Sequence, residues 1–174
     1  MLTKDNNYKV MKLFFDNPEK KFHIRQISRL VGLSPPGILK IVKKLKKEGL
    51  LATEKKGMIE EVSAPRTDKF FYLKLCYNLS ILNESGLIKF LEDKYEEPET
   101  IVVFGSYARG EDTSKSDIDI AIVTGMELSL DLKKFEKQIN RKINIYEVKI
   151  KECKKEFINN LANGIVLHGF LKVV

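Results

Sequence analysis

Three short segments near the start of the chain carry apolar residues at helical spacing. Pro18 and Gly32 stand between them, as residues that commonly end helices. Ser34 can cap the third helix, which then has Pro35 at its first position. The pattern therefore predicts three helices, at Tyr8–Phe15, at His23–Val31, and from Pro35 to Gly49.

The second and third helices flank a turn that contains Gly, which is the pattern of a helix-turn-helix unit. Leu50–Glu54 follows as a predicted strand, and a tight turn leads to a possible return strand at Met58–Val62. The apolar run Phe70–Leu73 either continues this sheet or begins a helix. This order of elements resembles the winged helix-turn-helix domains of bacterial and archaeal repressors. The resemblance predicts a first domain at residues 1–75.

Residues 76–98 are predicted to be a helical connector. Leucines and isoleucines recur at helical spacing and are interrupted at Ser85-Gly86. An acidic run then precedes Pro98, which favours a boundary before the next strand. The remaining residues, 99–174, are predicted to form the second domain.

The second domain begins with a pattern typical of strands. Ile101–Phe104 is an apolar run too short for a helix, and Gly105-Ser106 interrupts it. After a polar loop, isoleucine occupies every second position of Asp117–Ile122, and Asp117, Asp119 and Ala121 stand between. Because residues two apart share one face of a strand, Asp117 and Asp119 are expected on one side and the isoleucines in the core.

Two carboxylates on one face repel each other when both are ionised. A divalent cation between them removes that cost, and Mg²⁺ takes hard oxygen ligands of this kind. The alternative is a surface turn between two strands whose acids only increase solubility. Three further elements are predicted from periodicity: a helix at Leu128–Asn140, a strand at Ile143–Val148 and a helix at Cys153–Ala162.

Residues 99–170 resemble the small, minimal members of the DNA polymerase β-like nucleotidyltransferases. The signature is a Gly-Ser pair after the first strand, an Arg-Gly shortly afterwards and Ser-Asp-x-Asp on the next strand. The matching residues here are Gly105, Ser106, Arg109, Gly110, Ser116, Asp117 and Asp119. The expected fold class is α+β, with a winged helix-turn-helix followed by a small mixed α/β domain around a short central sheet.

The resemblance implies a reaction and a set of roles. Gly105 and Ser106 would hold a nucleoside triphosphate such as ATP, and Arg109 would contact a phosphate. Asp117 and Asp119 would be catalytic and would bind two Mg²⁺ ions. The reaction would transfer a nucleoside monophosphate to an acceptor hydroxyl.

The chain departs from the family at the third carboxylate, which active members carry on the following strand. The matching residue is Asn144, an amide that is a neutral ligand and no base. Glu147, three positions further on, should face the other side of a regular strand. Glu111 and Asp112 could instead turn in from the loop. Two hypotheses follow: an Mg²⁺-dependent nucleotidyltransferase, or a DNA-binding regulator whose second domain binds nucleotide or a partner without turnover.

Charge is distributed unevenly along the chain, whose net charge is +7. Residues 1–75 hold 17 Lys and Arg against 8 Asp and Glu, whereas residues 76–174 hold 14 against 16. This asymmetry favours a first domain that binds a polyanion, and double-stranded DNA is the expected partner. The alternative is a solvated lysine-rich helix face. The candidate DNA-binding residues are Lys40, Lys43, Lys44, Lys47, Lys55 and Lys56.

Composition excludes several other classes. The hydrophobic fraction of 43% and the charged fraction of 32% are typical of a globular protein, and a cytoplasmic location is expected. Cys76 and Cys153 are too few and too far apart for a disulfide scaffold or a zinc site. By analogy, a winged helix favours a homodimer, and a minimal nucleotidyltransferase favours a small helical toxin-like partner, with the chain as the antitoxin-like protein.

Overall fold

A computed structural model of the chain describes residues 5–57 and 59–172, and for Lys56 and Ile59 it describes the backbone alone. The described residues form two compact units that divide between Leu73 and Lys74. None of the helices in these ranges is both long enough and apolar enough to cross a membrane.

The first unit is a winged helix-turn-helix in its order of elements. A three-stranded antiparallel sheet, ordered β1-β3-β2, stands beside three helices. A fourth helix, α4, begins in this unit and spans the division. The elements are α1 (Asn6–Asp16), β1 (Lys21–His23), α2 (Ile24–Val31), α3 (Pro35–Lys47), β2 (Ala52–Lys56), β3 (Ile59–Ser63) and α4 (Asp68–Ser85).

Local chemistry explains the ends of α2 and α3. Gly32 has a φ of +71°, and its N–H donates to the Ser28 carbonyl to close α2. The Ser34 hydroxyl accepts a hydrogen bond from the Gly37 N–H, so the predicted cap of α3 is confirmed. One difference from the sequence prediction is that Lys21–His23 forms a strand. Of the two alternatives for Phe70–Leu73, the structure has the helix, because the run lies within α4.

The second unit is built on a four-stranded mixed sheet ordered β6-β5-β4-β7. Strand β4 is antiparallel to β5 and β7, and β5 is parallel to β6. The elements after α4 are α5 (Leu87–Lys94), β4 (Thr100–Phe104), β5 (Ile118–Val123), α6 (Lys133–Ile139), β6 (Ile143–Val148), α7 (Lys155–Ala162) and β7 (Ile165–Gly169).

The isoleucines of β5 lie in the core, as their alternation predicts. Ile118, Ile120 and Ile122 are completely buried. They share one apolar cluster with Leu82 of α4 and Leu87 of α5. Residues 76–98, which the sequence predicts to be a connector, thus supply core side chains to the second unit. The apolar faces of these helices are buried against the sheet.

Two helices are shorter than predicted. Helix α6 begins at Lys133 rather than Leu128, because the Leu128 N–H donates 2.6 Å to the Glu147 carboxylate instead of joining a helical turn. Helix α7 begins at Lys155, two residues after the predicted start. The strand β7 then follows Gly164, where a Cβ atom would come within 2.7 Å of the Val103 carbonyl oxygen.

Candidate nucleotide site and nucleic-acid interface

Two carboxylates and one amide converge at the end of the second unit's sheet. Asp117 directly precedes β5, Asp119 lies within it, and Asn144 is the register partner of Asp119 on β6. Asn144 Nδ2 donates to Asp119 Oδ1 at 3.0 Å and to Asp117 Oδ2 at 3.3 Å. The structure therefore brings together the three residues that alternation and the resemblance had placed on one face.

A glycine turn closes one side of this group. Gly105 follows β4 with a φ of +74°, and a Cβ atom there would lie 3.2 Å from Asp119 Oδ2. Only glycine adopts this backbone conformation at no steric cost, and it leaves the space beside the carboxylate open. The Ser106 carbonyl accepts hydrogen bonds from the N–H groups of Arg109 and Glu111 at 3.2 and 3.0 Å, which makes the turn tight.

Arg109 lies on this turn with its guanidinium at the surface. Its Nε donates to the Glu111 carboxylate at 2.8 Å, and both side chains are about half exposed. Surface ion pairs of this kind contribute little to stability, so the guanidinium can exchange its partner at small cost.

Asp112 does not face the carboxylate group, contrary to one alternative drawn from the sequence. Its carboxylate is buried, with 1% of the side chain exposed, and forms an ion pair with the equally buried Lys74. It also accepts a hydrogen bond from Asn78 Nδ2 at 2.8 Å. Because a buried ion pair cannot open without leaving a charge uncompensated, Asp112 is a structural anchor of the loop.

Glu147 faces away from the carboxylates, as the strand period predicted. Its Oε1 atom accepts hydrogen bonds from the Tyr95 hydroxyl and the Leu128 N–H, both at 2.6 Å. Burial, and then the Glu147 carboxylate, raise the pKa of Tyr95 well above its ordinary value. Glu147 therefore joins β6 to Tyr95, the residue that directly follows α5, and to the segment before α6.

The exposed lysines of the first unit follow the outer face of α3. Lys40, Lys43, Lys44 and Lys47 are exposed. The pairs Lys40/Lys44 and Lys43/Lys47 are each four residues apart, so together they cover one side of the helix. Ile38, Val42 and Leu45 are buried on the other side. Lys55 is exposed on β2, and the predicted contribution of the Lys56 side chain lies outside the described residues.

Each of the two units matches a known protein family. Residues 84–168 match the family described as the nucleotidyltransferase domain. The second unit is a nucleotidyltransferase domain. Residues 22–52 match the winged helix-turn-helix DNA-binding family. Both resemblances drawn from the sequence, and the α+β fold class, are thereby confirmed.

One curated relative is "Putative protein adenylyltransferase MJ1379" of Methanocaldococcus jannaschii. It is 59% identical over 34 residues, which are 20% of this chain and 33% of the relative. The chain thus matches about a third of that protein's length. No solved structure matches the chain.

An aromatic group beside the carboxylates of the nucleotidyltransferase domain was missed in the sequence. The Tyr146 hydroxyl lies 3.3 Å from Asp119 Oδ1. Its ring packs against Phe104 and Phe157, with centroids 5.5 and 6.1 Å apart. Burial, and then the Asp119 carboxylate, raise the pKa of Tyr146. Strand alternation from Asn144 could have revealed it, because residues 144 and 146 share a face.

A polar cavity of about 420 Å³ opens beside Asp117 in the nucleotidyltransferase domain. Its walls come from the loop before β5, from α6 and from the connection between α6 and β6. The lining residues are Ser114, Lys115, Ser116, Asp117, Glu136, Asn140, Arg141 and Lys142. The lining carries three cationic side chains and two carboxylates, so it suits a polar ligand better than an apolar one.

The carboxylates beside the Gly105 turn fit a metal ion only when other ligands complete its coordination. Within the described ranges, no three His, Cys, Asp or Glu side chains form a group that could hold a metal. Mg²⁺, however, is commonly held by one or two carboxylates together with substrate phosphates and water. Asp117 and Asp119 meet that requirement, and a half-turn of the Asn144 amide would present an oxygen in place of Nδ2. The residues therefore fit a cation that arrives with a phosphate ligand.

Proposed function

We propose that this protein transfers a nucleoside monophosphate from a nucleoside triphosphate to an acceptor hydroxyl, and that its winged helix binds double-stranded DNA. The observation that carries the proposal is the convergence of Asp117, Asp119 and Asn144 beside the Gly105 turn. Two acids lie at the start of β5, and a Cβ atom at Gly105 would lie 3.2 Å from Asp119 Oδ2. Glycine there leaves room for phosphate where negative charge must be compensated.

The triphosphate is bound by the turn and its neighbours in this proposal. Gly105 allows a phosphate to approach the backbone closely, and Ser106 adds a hydroxyl donor. Arg109 leaves Glu111 and donates to a phosphate oxygen, because a charge-assisted bond to phosphate replaces a weak surface pair.

Asp117 and Asp119 hold Mg²⁺, which when bound supplies positive charge to the phosphates and lowers the pKa of a bound hydroxyl. Asn144 contributes a neutral amide where a third carboxylate would stand. The site has two negative side chains instead of three. We therefore expect one ion that is bound together with the triphosphate, and not two ions that bind before the nucleotide. Metal binding is therefore expected to depend on nucleotide.

The winged helix gives the second part of the proposal. The exposed lysine face of α3 suits the phosphates that line the major groove of double-stranded DNA. Lys55 of β2 extends the same contact. Such contacts supply affinity that does not depend on sequence, so we expect strong salt dependence.

ATP and a protein hydroxyl are the proposed substrate pair. The support is the name of the M. jannaschii relative as a protein adenylyltransferase, over a short shared segment. The reaction uses the same carboxylates whichever hydroxyl is the acceptor.

Calorimetric titration with the four ribonucleoside triphosphates, with and without Mg²⁺, tests the proposal. We expect Mg²⁺-dependent binding by the natural chain and its loss in the Asp117→Asn/Asp119→Asn variant. Asp93→Asn, which removes an exposed acid of α5, is the matched control and should bind normally. Absence of binding by every triphosphate would refute the proposed enzyme.

Asn144 favours a second candidate, a DNA-binding regulator that binds nucleotide or a partner without turnover. Asp117→Asn/Asp119→Asn should then leave DNA affinity unchanged, and pyrophosphate release should be absent although the triphosphate binds. The homodimer, the toxin-like helical partner and the cytoplasmic location stay predictions of the sequence.

A further inference from the structure

We infer that Tyr146 is an acceptor for the domain's own reaction, so that the protein attaches a nucleoside monophosphate to itself. The inference deepens the proposed function and rests on it. Its basis is the distance of 3.3 Å between the Tyr146 hydroxyl and Asp119 Oδ1, a carboxylate of the proposed nucleotide site.

The surroundings of Tyr146 fix its hydroxyl while leaving it accessible. Phe104 meets the Tyr146 ring at 5.5 Å and Phe157 meets it at 6.1 Å, so the ring has packing partners on two elements. Tyr146 is nevertheless 39% exposed. A nucleophile held near the reacting group in one orientation needs little further ordering before it attacks.

The other tyrosines of the second unit do not compete for this role. Tyr77, Tyr95 and Tyr107 are buried, with at most 8% of their surface exposed. Tyr95 donates to Glu147 on the side of β6 away from the carboxylates, and Tyr107 donates to the Asn78 carbonyl. Of these four tyrosines, Tyr146 is the one that is both exposed and close to a carboxylate of the proposed nucleotide site.

The step is a substitution at phosphorus. The phenolic oxygen of Tyr146 forms a bond to the α-phosphorus of the triphosphate, and the bond from that phosphorus to the bridging oxygen of the β-phosphate breaks. Pyrophosphate leaves. The phenolic proton passes to solvent water, which reaches the exposed side of Tyr146. The product is a phosphodiester on Tyr146.

The attached nucleotide has a consequence for the site. Because Tyr146 lies directly beside Asp119, a nucleoside monophosphate joined to it occupies the space beside the carboxylates. The modified protein is therefore expected to bind triphosphate less tightly than the unmodified protein, and the reaction limits itself to one turnover per chain at this residue.

The test incubates the full chain with α-³²P-labelled nucleoside triphosphates and Mg²⁺, followed by denaturing electrophoresis and peptide mass mapping. We expect label on Tyr146 and a rate constant that does not depend on protein concentration, because each molecule labels itself. Tyr146→Phe retains the ring packing and should lose the label. Tyr72→Phe, which alters a tyrosine 68% exposed on α4, should keep it.

A second readout does not require turnover. Nitration of Tyr146 by tetranitromethane should slow when a triphosphate with a non-transferable α,β-methylene bridge is bound with Mg²⁺, and nitration of Tyr72 should not. Triphosphate binding without label on Tyr146, or label elsewhere, would overturn the inference and leave the proposed function standing. Absence of all triphosphate binding would remove the proposed function and this inference together.

Discussion

Asn144 faces Asp119 across the parallel strands β6 and β5, and its Nδ2 atom lies 3.0 Å from Asp119 Oδ1. The same amide nitrogen reaches Asp117 Oδ2 at 3.3 Å. An amide donor between two carboxylates reduces the repulsion that the pair would otherwise cause. The residue that departs from the family pattern therefore stabilises the site without metal.

Asn144→Asp should reverse that effect. The change removes a hydrogen bond to a charged group and adds a third negative charge, so we expect the metal-free protein to lose about 1.5–3 kcal/mol of stability. Mg²⁺ should restore it, because three carboxylates attract the ion more strongly than two. Thermal unfolding with and without Mg²⁺ measures both effects. Asn160→Asp, on the exposed face of α7, is the control. An Asn144→Asp protein that is more stable than the natural chain without Mg²⁺ would contradict this account.

Lys74→Met should destabilise the second unit strongly. It leaves the buried Asp112 carboxylate without its counter-charge, which costs about 3–5 kcal/mol for buried pairs of this kind. Urea unfolding measures the loss. Lys74→Met combined with Asp112→Leu removes both charges and should recover most of the stability. Equal losses in the single and double variants would show that the charge is not the cause.

Stability at alkaline pH should depend on Tyr95. Burial and the Glu147 carboxylate raise its pKa above the ordinary value of 10.0 in the folded protein. Above pH 10 the unfolded chain therefore loses this proton while the folded chain keeps it, and stability falls as pH rises, by about 1.4 kcal/mol per pH unit. The fall ends when pH reaches the folded-state pKa.

Tyr95→Phe tests this by removing the titrating group. The variant should be less stable near neutral pH, because the bond to Glu147 is lost, and should have a smaller slope above pH 10. Chemical unfolding at several pH values measures both. Tyr72→Phe should keep the natural slope, and an unchanged slope in Tyr95→Phe would contradict the assignment.

DNA affinity should depend on the α3 lysines. Replacing Lys43 and Lys47 with Ala removes two exposed cations from one helix face. If both contact phosphates, the slope of log affinity against log salt concentration becomes shallower by about 1.8. Fluorescence anisotropy with duplex DNA at several salt concentrations measures this slope. Lys20→Ala, between α1 and β1, should leave it unchanged, and an unaltered slope in the double variant would indicate a solvated helix face.

The sequence was most informative where the period and the chemistry coincide. Ile118, Ile120 and Ile122 stand at every second position, with Asp117 and Asp119 on the intervening positions. This alternation alone predicted the two acids on one face and the isoleucines in the core. The end of α2 and the start of α3 were predicted equally well, because Gly32 and Ser34 form their capping hydrogen bonds with residues three or four positions away.

Contacts between residues far apart in the sequence could not be predicted from such local patterns. The Lys74–Asp112 ion pair joins residues 38 positions apart, so no local pattern shows that Asp112 is buried and unable to reach the carboxylates. The late start of α6 has the same origin, since Leu128 is held by Glu147 from β6. Both depend on how the sheet brings its neighbours together.

The most direct measurement is a crystal structure of the full chain with an α,β-methylene triphosphate and Mn²⁺, whose anomalous scattering locates the ion. The account predicts an anomalous peak about 2.0–2.3 Å from carboxylate oxygens of both Asp117 and Asp119, shared with the triphosphate, which lies against the Gly105 turn. A triphosphate and ion bound elsewhere, with the Asn144 amide still donating to both carboxylates, would contradict the assignment of this group as the nucleotide site.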